Sequence, residues 1–285
     1  MITLQEPAYA KLNLTLDILR KREDGYHEIE SIMQQITLRD DIEIDLETGE
    51  DWKLECDWEE IPTDSQNLAW KAAGLFYKTI GKDPQGITIR ITKRIPMEAG
   101  LGGGSADAAA VLTALNRQEG EPLSKWDLAR LSAKIGSDVP FCVVGGTALA
   151  KGRGEKIAQL LPMPQCFYCI AKPEFSVSTP ELYAKWDETE QPYHPDIQGM
   201  GRALDQQSLL HAAGYLGNSF EPLVAAEHPE IEKIKEIMRD CGALGCAMTG
   251  SGSAVFGVFD AFDMAAMASM QLMDTCKTYL SRNVD

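Results

Sequence analysis

The stretch Pro96-Met97-Glu98-Ala99-Gly100-Leu101-Gly102-Gly103-Gly104-Ser105-Ala106-Asp107 carries the densest chemistry in the chain. Glycines at 100, 102, 103 and 104 let the backbone approach a ligand closely. The Ala- and Leu-rich run 107–116 predicts a helix whose free N–H groups point back into that loop. Those donors and the helix dipole make an anion site suited to a triphosphate. Ser105 adds a hydroxyl for a phosphate or a magnesium ion. Two charged candidates stand elsewhere: Lys11, with Asn13 beside it, and Asp138 in Gly136-Ser137-Asp138-Val139-Pro140-Phe141. One base, one cation and a phosphate cradle can suffice for phosphoryl transfer, which depends mostly on positioning and electrostatics.

Other readings compete. A Walker A loop ends in Gly-Lys-Ser/Thr, where this chain has Gly104-Ser105-Ala106. Gly100-x-Gly102 opens like a dinucleotide fingerprint, but the sixth position is Ser105 and the expected helix leads into another helix, not an acid-ended strand. A mere flexible turn fits poorly with three consecutive glycines between a strand and a clean helix. Taken alone, Lys11 reads first as a charge protecting an edge strand. Asp138 reads equally as a turn former, past a helix end and before an apolar strand.

Periodicity supplies the elements that must position these groups. Residues 8–19 alternate like a strand, with Leu12, Leu14, Leu16 and Ile18 on one face and Lys11, Asn13, Thr15 and Asp17 on the other. Residues 20–25 read as a charged turn, followed by strand-like pieces at 32–38, 42–46 and 52–56. A helix is expected over 67–80 with Gly81 at its stop, then a strand over 86–95. Ser124 caps a second helix at 127–135. The glycine-rich stretch 145–156 reads as a connection, and a strand at 166–171 opens the second half. A loop over 187–201, a helix at 230–239, a strand at 254–259 and a final helix over 262–281 complete an α+β chain in two lobes.

Bulk properties set limits. A chain of 285 residues suits one large domain or two modest ones. The net charge of −16 argues against nonspecific nucleic-acid binding, while Lys11, Arg20, Lys21, Arg22, Lys93 and Arg94 supply local cations for a small phosphorylated ligand. The seven cysteines do not look like a secreted disulfide framework, and Cys166 and Cys169 sit in an apolar run that reads as core. No zinc spacing is present. The N-terminus lacks the regions of a signal peptide, and the uncharged stretch 241–259 is too rich in Gly, Ser and Thr for a spanning helix. The expectation is a cytoplasmic protein with no membrane contact and no obligate protein partner.

These segments resemble the superfamily of galactokinase, homoserine kinase, mevalonate kinase and phosphomevalonate kinase. Residues 96–110 resemble its second motif, in the Gly-Leu-Gly-Gly-Gly-Ser variant similar to the branch that acts on cytidine diphosphate-linked methylerythritol. Ala10-Lys11-Leu12-Asn13-Leu14 with Asp24-Gly25-Tyr26-His27-Glu28 looks like the first motif of that branch. Gly136–Phe141, Gly145-Gly146-Thr147 and Gly152-Arg153-Gly154-Glu155 look like its central block, Val177-Ser178-Thr179 like the start of its substrate lobe. Thr249-Gly250-Ser251-Gly252-Ser253-Ala254 resembles the third motif, expected to pack against the phosphate loop. The likeness spans nearly the whole chain. Two departures are small: Ala106 stands where a second serine is common, and Ala8 and Tyr9 separate Pro7 from Ala10.

The resemblance implies a two-lobed small-molecule kinase with its active site between lobes, residues 1–155 binding ATP and catalysing, and residues 156–285 binding substrate. It implies ATP with Mg2+ as cofactors, phosphorylation of the C2 hydroxyl of the cytidine diphosphate-linked alcohol, and a place in the non-mevalonate isoprenoid pathway. Asp138 would accept the hydroxyl proton, and Lys11 would stabilise charge and keep Asp138 ionised. Nucleotide contacts are implied for Lys93, Pro96, Met97, Glu98, Ala99, Gly100, Leu101, Gly102, Gly103, Gly104, Ser105, Ala106 and Gly250. Substrate contacts are implied for Asn13, Tyr26, His27, Thr179 and Tyr183, with Tyr26, His27 and Tyr183 holding the base. Against this, Tyr183 reads as a core aromatic on a helix at 180–186, and His27 as a surface turn residue. No dedicated metal ligands are implied, so magnesium would travel mainly with ATP. The competing functions are a mevalonate or homoserine kinase, whose substrates have no base to stack, and a nucleotide sensor without catalysis.

Overall fold

The computed structural model describes residues 2–284 apart from 48 and 50, so the outer ends of the two expected domains, Met1 and Asp285, lie outside the described residues. The chain opens with two long strands, β1 (Ile2–Lys21) and β2 (His27–Leu46). The alternation of β1 is as expected, but both its faces are buried around residues 11–17, so Lys11, Asn13, Thr15 and Asp17 form an internal polar row. β2 corrects the reading of separate pieces at 32–38 and 42–46. The polar interruption Arg39-Asp40-Asp41 does not break the strand, because Asp40 is fully buried and its Oδ1 accepts the N–H groups of Arg94 at 2.5 Å and Ile95 at 2.8 Å.

β3 (Lys53–Cys56), α1 (Leu68–Ile80) and β4 (Ile87–Thr92) follow. The Asn67 side chain caps α1 by accepting the Ala69 N–H at 2.8 Å, and Gly81 ends it at a left-handed φ of 69°. After the glycine loop come α2 (Gly103–Gln118), α3 (Lys125–Ser132) and α4 (Val139–Val144). α2 begins inside the glycine run, earlier than the expected 107. Its alanines 106, 108, 109 and 110 are buried, which lets a helix with almost no solvent face fit against α1 and α4. α4 is a correction, since the apolar run after Asp138 is a helix and not a strand. Pro140 sits in its first turn, where a missing N–H leaves no bond unmade.

The remainder runs β5 (Thr147–Gly152), β6 (Lys156–Gln159), β7 (Phe167–Lys172), α5 (Thr179–Asp187), α6 (Ile197–Asp205), α7 (Leu209–Gly214) and β8 (Gly217–Asn218). Then come α8 (Glu221–Glu227), α9 (Glu230–Asp240), β9 (Gly245–Met248), β10 (Val255–Phe259), α10 (Phe262–Leu272) and β11 (Lys277–Arg282). Three further expectations change. The glycine-rich connection at 145–156 contains β5, hairpinned with β6. α6 starts inside the expected loop at 187–201, capped by Asp196, and a Cβ on Gly199 would meet the Tyr215 ring at 2.3 Å. The final helix ends at Leu272, because Thr278, Tyr279 and Leu280 suit a strand and pair with β7.

The chain divides into two compact units, one of Met1–Ala10, Arg39–Ile95 and Gly102–Gly145, the other of Lys11–Leu38, Pro96–Leu101 and Gly146–Asp285. In the first, β2 lies antiparallel to β4, from Asp41 opposite Thr92 to Leu46 opposite Ile87, β3 is parallel to β4, and α2 packs against α1, α3 and α4. In the second, β2 lies antiparallel to β5, and β1 lies parallel to β8 at Thr15–Gly217 and Leu16–Asn218. A separate antiparallel sheet in the order β11-β7-β10-β9 carries α9 and α10, over a core that includes Leu16, Ile18, Phe220, Met238 and Phe259. Cys169 lies in that core and Cys166 is buried just before β7, and burial pushes both thiols up to about 12, consistent with core residues and not with a redox pair. No helix among the described residues is long and apolar enough to cross a membrane.

Candidate active site

Within the second unit, Lys11 and Asn13 come together with the glycine loop and the third motif. Lys11 is 3% exposed on a strand flanked by β2 and β8, so the edge-strand reading falls. Its Nζ donates to Asn13 Oδ1 at 2.5 Å, and its backbone N–H donates to the Leu101 carbonyl at 3.0 Å. Asn13 Nδ2 donates in turn to Ser31 Oγ at 2.8 Å, which fixes the amide and leaves its oxygen toward the lysine. The Thr249 hydroxyl accepts the Asn13 N–H at 3.0 Å and donates to the Gly100 carbonyl at 3.2 Å. The expected close packing is present: a Cβ on Gly100 would lie 2.0 Å from the Thr249 carbonyl oxygen. One on Gly250 would lie 3.0 Å from Gly100 Cα and 3.4 Å from Lys11 Nζ. Glu98 itself takes a φ of 51°, uncommon outside glycine. Thr179, at the first turn of α5, donates to Ser251 Oγ at 2.7 Å and so meets the same motif.

Within the first unit, the first turn of α2 comes close to the segment before Asp138. A Cβ on Gly136 would lie 4.0 Å from Ser105 Oγ. Asp138 stands at the N-terminus of α4, and its side chain does not cap that helix. The placement of Lys93 differs from that of an open phosphate ligand. Its ammonium is buried between two carboxylates, donating to Asp40 Oδ2 at 2.5 Å and Asp107 Oδ2 at 2.8 Å. Burial opposes its charge, but Asp107 and Asp40 outweigh that and raise its pKa. Its charge is already matched.

Two of the residues expected at the base, His27 and Tyr183, meet in the second unit. His27 is buried, which overturns the surface-turn reading, and its ring stacks on Tyr183 with centroids 4.2 Å apart and 16° between planes. Trp186 meets the same ring edge-on at 6.0 Å. His27 Nε2 lies 2.8 Å from Asp187 Oδ1, and Lys21 donates to Asp187 Oδ2 at 2.6 Å. Burial works against the Asp187 charge, but Lys21 and His27 together hold its carboxyl below the ordinary range. Tyr26 is 53% exposed, with the Arg153 guanidinium 4.6 Å from its ring centroid. Arg153 is set by its turn: its N–H donates to Glu155 Oε2 at 2.6 Å, and a Cβ on Gly152 would strike the Glu155 carboxylate at 2.7 Å.

Several supporting residues escaped the sequence reading. Asp40 is one, hidden between two charged neighbours. Asn218 is another, its Nδ2 donating to the carbonyls of Met248 and Gly250 at 2.8 Å each and so holding the third motif in place. Arg153 and Asp187 carried a weak signal in their motif and helix positions, with nothing to indicate their ring and histidine partners.

A glycine loop that opens a helix, a buried lysine beside it and an α+β frame define a small-molecule kinase, and family profiles agree. Residues 67–146 match the GHMP kinases N terminal domain and residues 194–269 the GHMP kinases C terminal domain. The chain belongs to the GHMP kinases, a family that uses ATP as phosphate donor. Among its relatives is the 4-diphosphocytidyl-2-C-methyl-D-erythritol kinase of Caldicellulosiruptor saccharolyticus, 46% identical over 88% of this chain and 87% of the relative. The enzyme of the same name from Bacillus subtilis is 47% identical over 89% and 87%. A crystal structure of 4-(cytidine 5'-diphospho)-2C-methyl-D-erythritol kinase superposes with a TM-score of 0.82 at 30% identity, covering 99% of this chain and 100% of that one. The homoserine kinase of Cytophaga hutchinsonii shares the fold, with a TM-score of 0.77 at 19% identity.

Proposed function

We propose that this kinase transfers the γ-phosphate of ATP to the C2 hydroxyl of 4-diphosphocytidyl-2-C-methyl-D-erythritol, in the non-mevalonate route to isoprenoid precursors. The aromatic group around His27 carries the reading. A pyrimidine is held by stacking and by hydrogen bonds to its edge; the stacked His27 and Tyr183 rings have both capacities, and Tyr26 is the exposed chain neighbour of His27. The relatives named above point to the same substrate.

In this reading Asp138 accepts the proton of the attacking hydroxyl and Lys11 stabilises the charge on the transferring group. Loop residues 96–106 and Gly250 cradle the nucleotide, with the N–H groups of Gly103, Gly104 and Ser105 at the helix N-terminus offered to phosphate oxygens. Asn13 and Thr179 contact the substrate, and Lys93 acts from beneath the loop. Residues 1–155 bind ATP and catalyse, and residues 156–285 complete the substrate pocket. Magnesium would arrive with ATP and shield its phosphate charge, and the Ser105 hydroxyl would be the protein group available to it or to a phosphate; this suits an ion that keeps most of its waters. The setting is cytoplasmic, without a nucleic-acid, membrane or obligate protein partner.

The test is ADP release with Mg-ATP and each of 4-diphosphocytidyl-2-C-methyl-D-erythritol, mevalonate and homoserine. Turnover confined to the first supports the reading. Turnover on another alcohol alone removes the base pocket, and none on any, with ATP bound, replaces the kinase by a sensor.

A further inference from the structure

Both ends of the glycine loop meet one buried ionic triad. On the incoming side, Asp40 Oδ1 accepts the N–H groups of Arg94 and Ile95, the last two residues before Pro96. Asp40 Oδ2 accepts from Lys93 Nζ, and the same ammonium donates to Asp107 on α2, the helix that leaves the loop. That ammonium also lies against the first residue of α2, since a Cβ on Gly103 would come within 3.3 Å of it. Asp40, Lys93 and Asp107 are 0%, 5% and 3% exposed. A buried triad of this kind is a weak source of stability, because apolar residues of similar volume hold elements together as well or better. Its geometry has another use.

We propose that Asp40 and Asp107 are positioning residues for the nucleotide site. Through Lys93 they tie Ile95 to α2, so that the span between them is held in its binding shape before the nucleotide arrives. A preformed loop keeps the competent fraction near one; untying one end lowers that fraction, and the apparent dissociation constant rises in inverse proportion. The proposal rests on the reading of the loop as a nucleotide cradle.

Asp107 offers the cleaner test. Its Oδ1 has no hydrogen-bond partner among the described residues, and its removal leaves Lys93 paired with Asp40 as a neutral couple. Alanine also suits a helix interior. Mg-ADP is titrated calorimetrically into the full chain, with hydrogen exchange and thermal unfolding measured alongside. Asp107→Ala should bind Mg-ADP about tenfold more weakly, unfold within a few degrees of wild type and exchange faster at the loop amides. Asp107→Asn, whose Oδ1 can still accept from Lys93, should restore binding. Asp40→Asn alone, which keeps an oxygen for the Arg94 and Ile95 N–H groups and leaves Lys93 paired with Asp107, should weaken Mg-ADP binding in the same direction. An alanine variant that binds Mg-ADP like wild type overturns the proposal, and so does an asparagine variant no better than alanine. Wild-type protein that binds no Mg-ADP removes the cradle itself, a separate failure visible before any variant is made.

Discussion

Tyr183 covers one face of the His27 ring, and Phe220 also packs on Tyr183, with the two rings near-perpendicular and 4.9 Å apart. A tyrosine held by two rings is a rigid platform, with little side-chain freedom left to lose when a base arrives. Tyr183→Ala should raise KM for the cytidylyl substrate by about 5- to 100-fold, the range of one lost stack of ~1–3 kcal/mol. KM for ATP should stay within about twofold, and Tyr183→Phe, which keeps the ring, should stay well below the alanine variant in KM. Steady-state kinetics with each substrate varied in turn checks this. A loss of thermal stability without a change in KM would make Tyr183 a core residue only.

Arg153 lies over Tyr26 from a turn whose backbone is held by Glu155. Arg153→Ala should raise KM for the cytidylyl substrate by roughly two- to fivefold, the scale of an exposed cation–π contact. Glu155→Ala, which releases the turn, should reproduce most of that effect. Unchanged KM in both variants would leave Tyr26 independent of the turn.

Asp138→Asn should lower kcat by ~10²–10⁴-fold, the usual contribution of a general base. Thermal unfolding of the variant, measured alongside, separates loss of the base from loss of the fold. Lys11→Met should lower kcat with little change in KM for the alcohol. Turnover of Asp138→Asn within about threefold of wild type would remove it as the base, being below the usual effect.

Gly100 combines a φ of 71° with a Cβ position 2.0 Å from the Thr249 carbonyl oxygen. Gly100→Ala must therefore push the loop and the third motif apart. The expected cost is roughly 1–3 kcal/mol in stability, with KM for ATP raised at least tenfold. Chemical unfolding and ATP titration read the two effects separately. If alanine is tolerated in both, the close approach does not govern the site.

Stability should also report Asp107. Burial pushes its carboxyl from 3.8 up to about 7, against the pull of Lys93 and with the help of Asp40. The native state then keeps a proton that the unfolded chain gives up. This contribution is complete below the unfolded value of 3.8 and declines as pH rises through about 7. Asp107→Asn carries no such proton. Its melting temperature relative to wild type should therefore increase between pH 4 and pH 8, as thermal scans at each pH would register. A constant offset across that interval would mean that the Asp107 carboxyl titrates alike in both states.

Part of this architecture could be read in advance, and the reasons differ by element. α1 was legible because its cap at Asn67, its apolar spacing and its stop at Gly81 all agree. The glycine loop and its helix were legible because backbone freedom and helix polarity are local properties. The second half of the expected final helix was not, since residues 277–282 become a strand only by pairing with β7, a distant segment. Nor was α4, whose short apolar run fits either state. Tyr26, His27 and Tyr183 were grouped through motif resemblance; the structure stacks His27 on Tyr183 and sets Tyr26 against Arg153. Asp40 was invisible in principle. An aspartate between Arg39 and Asp41 looks like a solvated turn until residues 93–95 return to fold over it.

The chain passes back and forth between its two units, and this sets an order for its birth on the ribosome. All of the first unit has been synthesised once Gly145 emerges. The second has its opening strand waiting from the start, because Asn13 meets Thr249, a partner 236 positions later. At about 5–20 residues per second, that delay is roughly ten to fifty seconds. Throughout it Leu12, Leu14, Leu16 and Ile18, all buried in the finished protein, have no completed core to enter. This opening strand is thus the part of the nascent chain that waits longest for its partners.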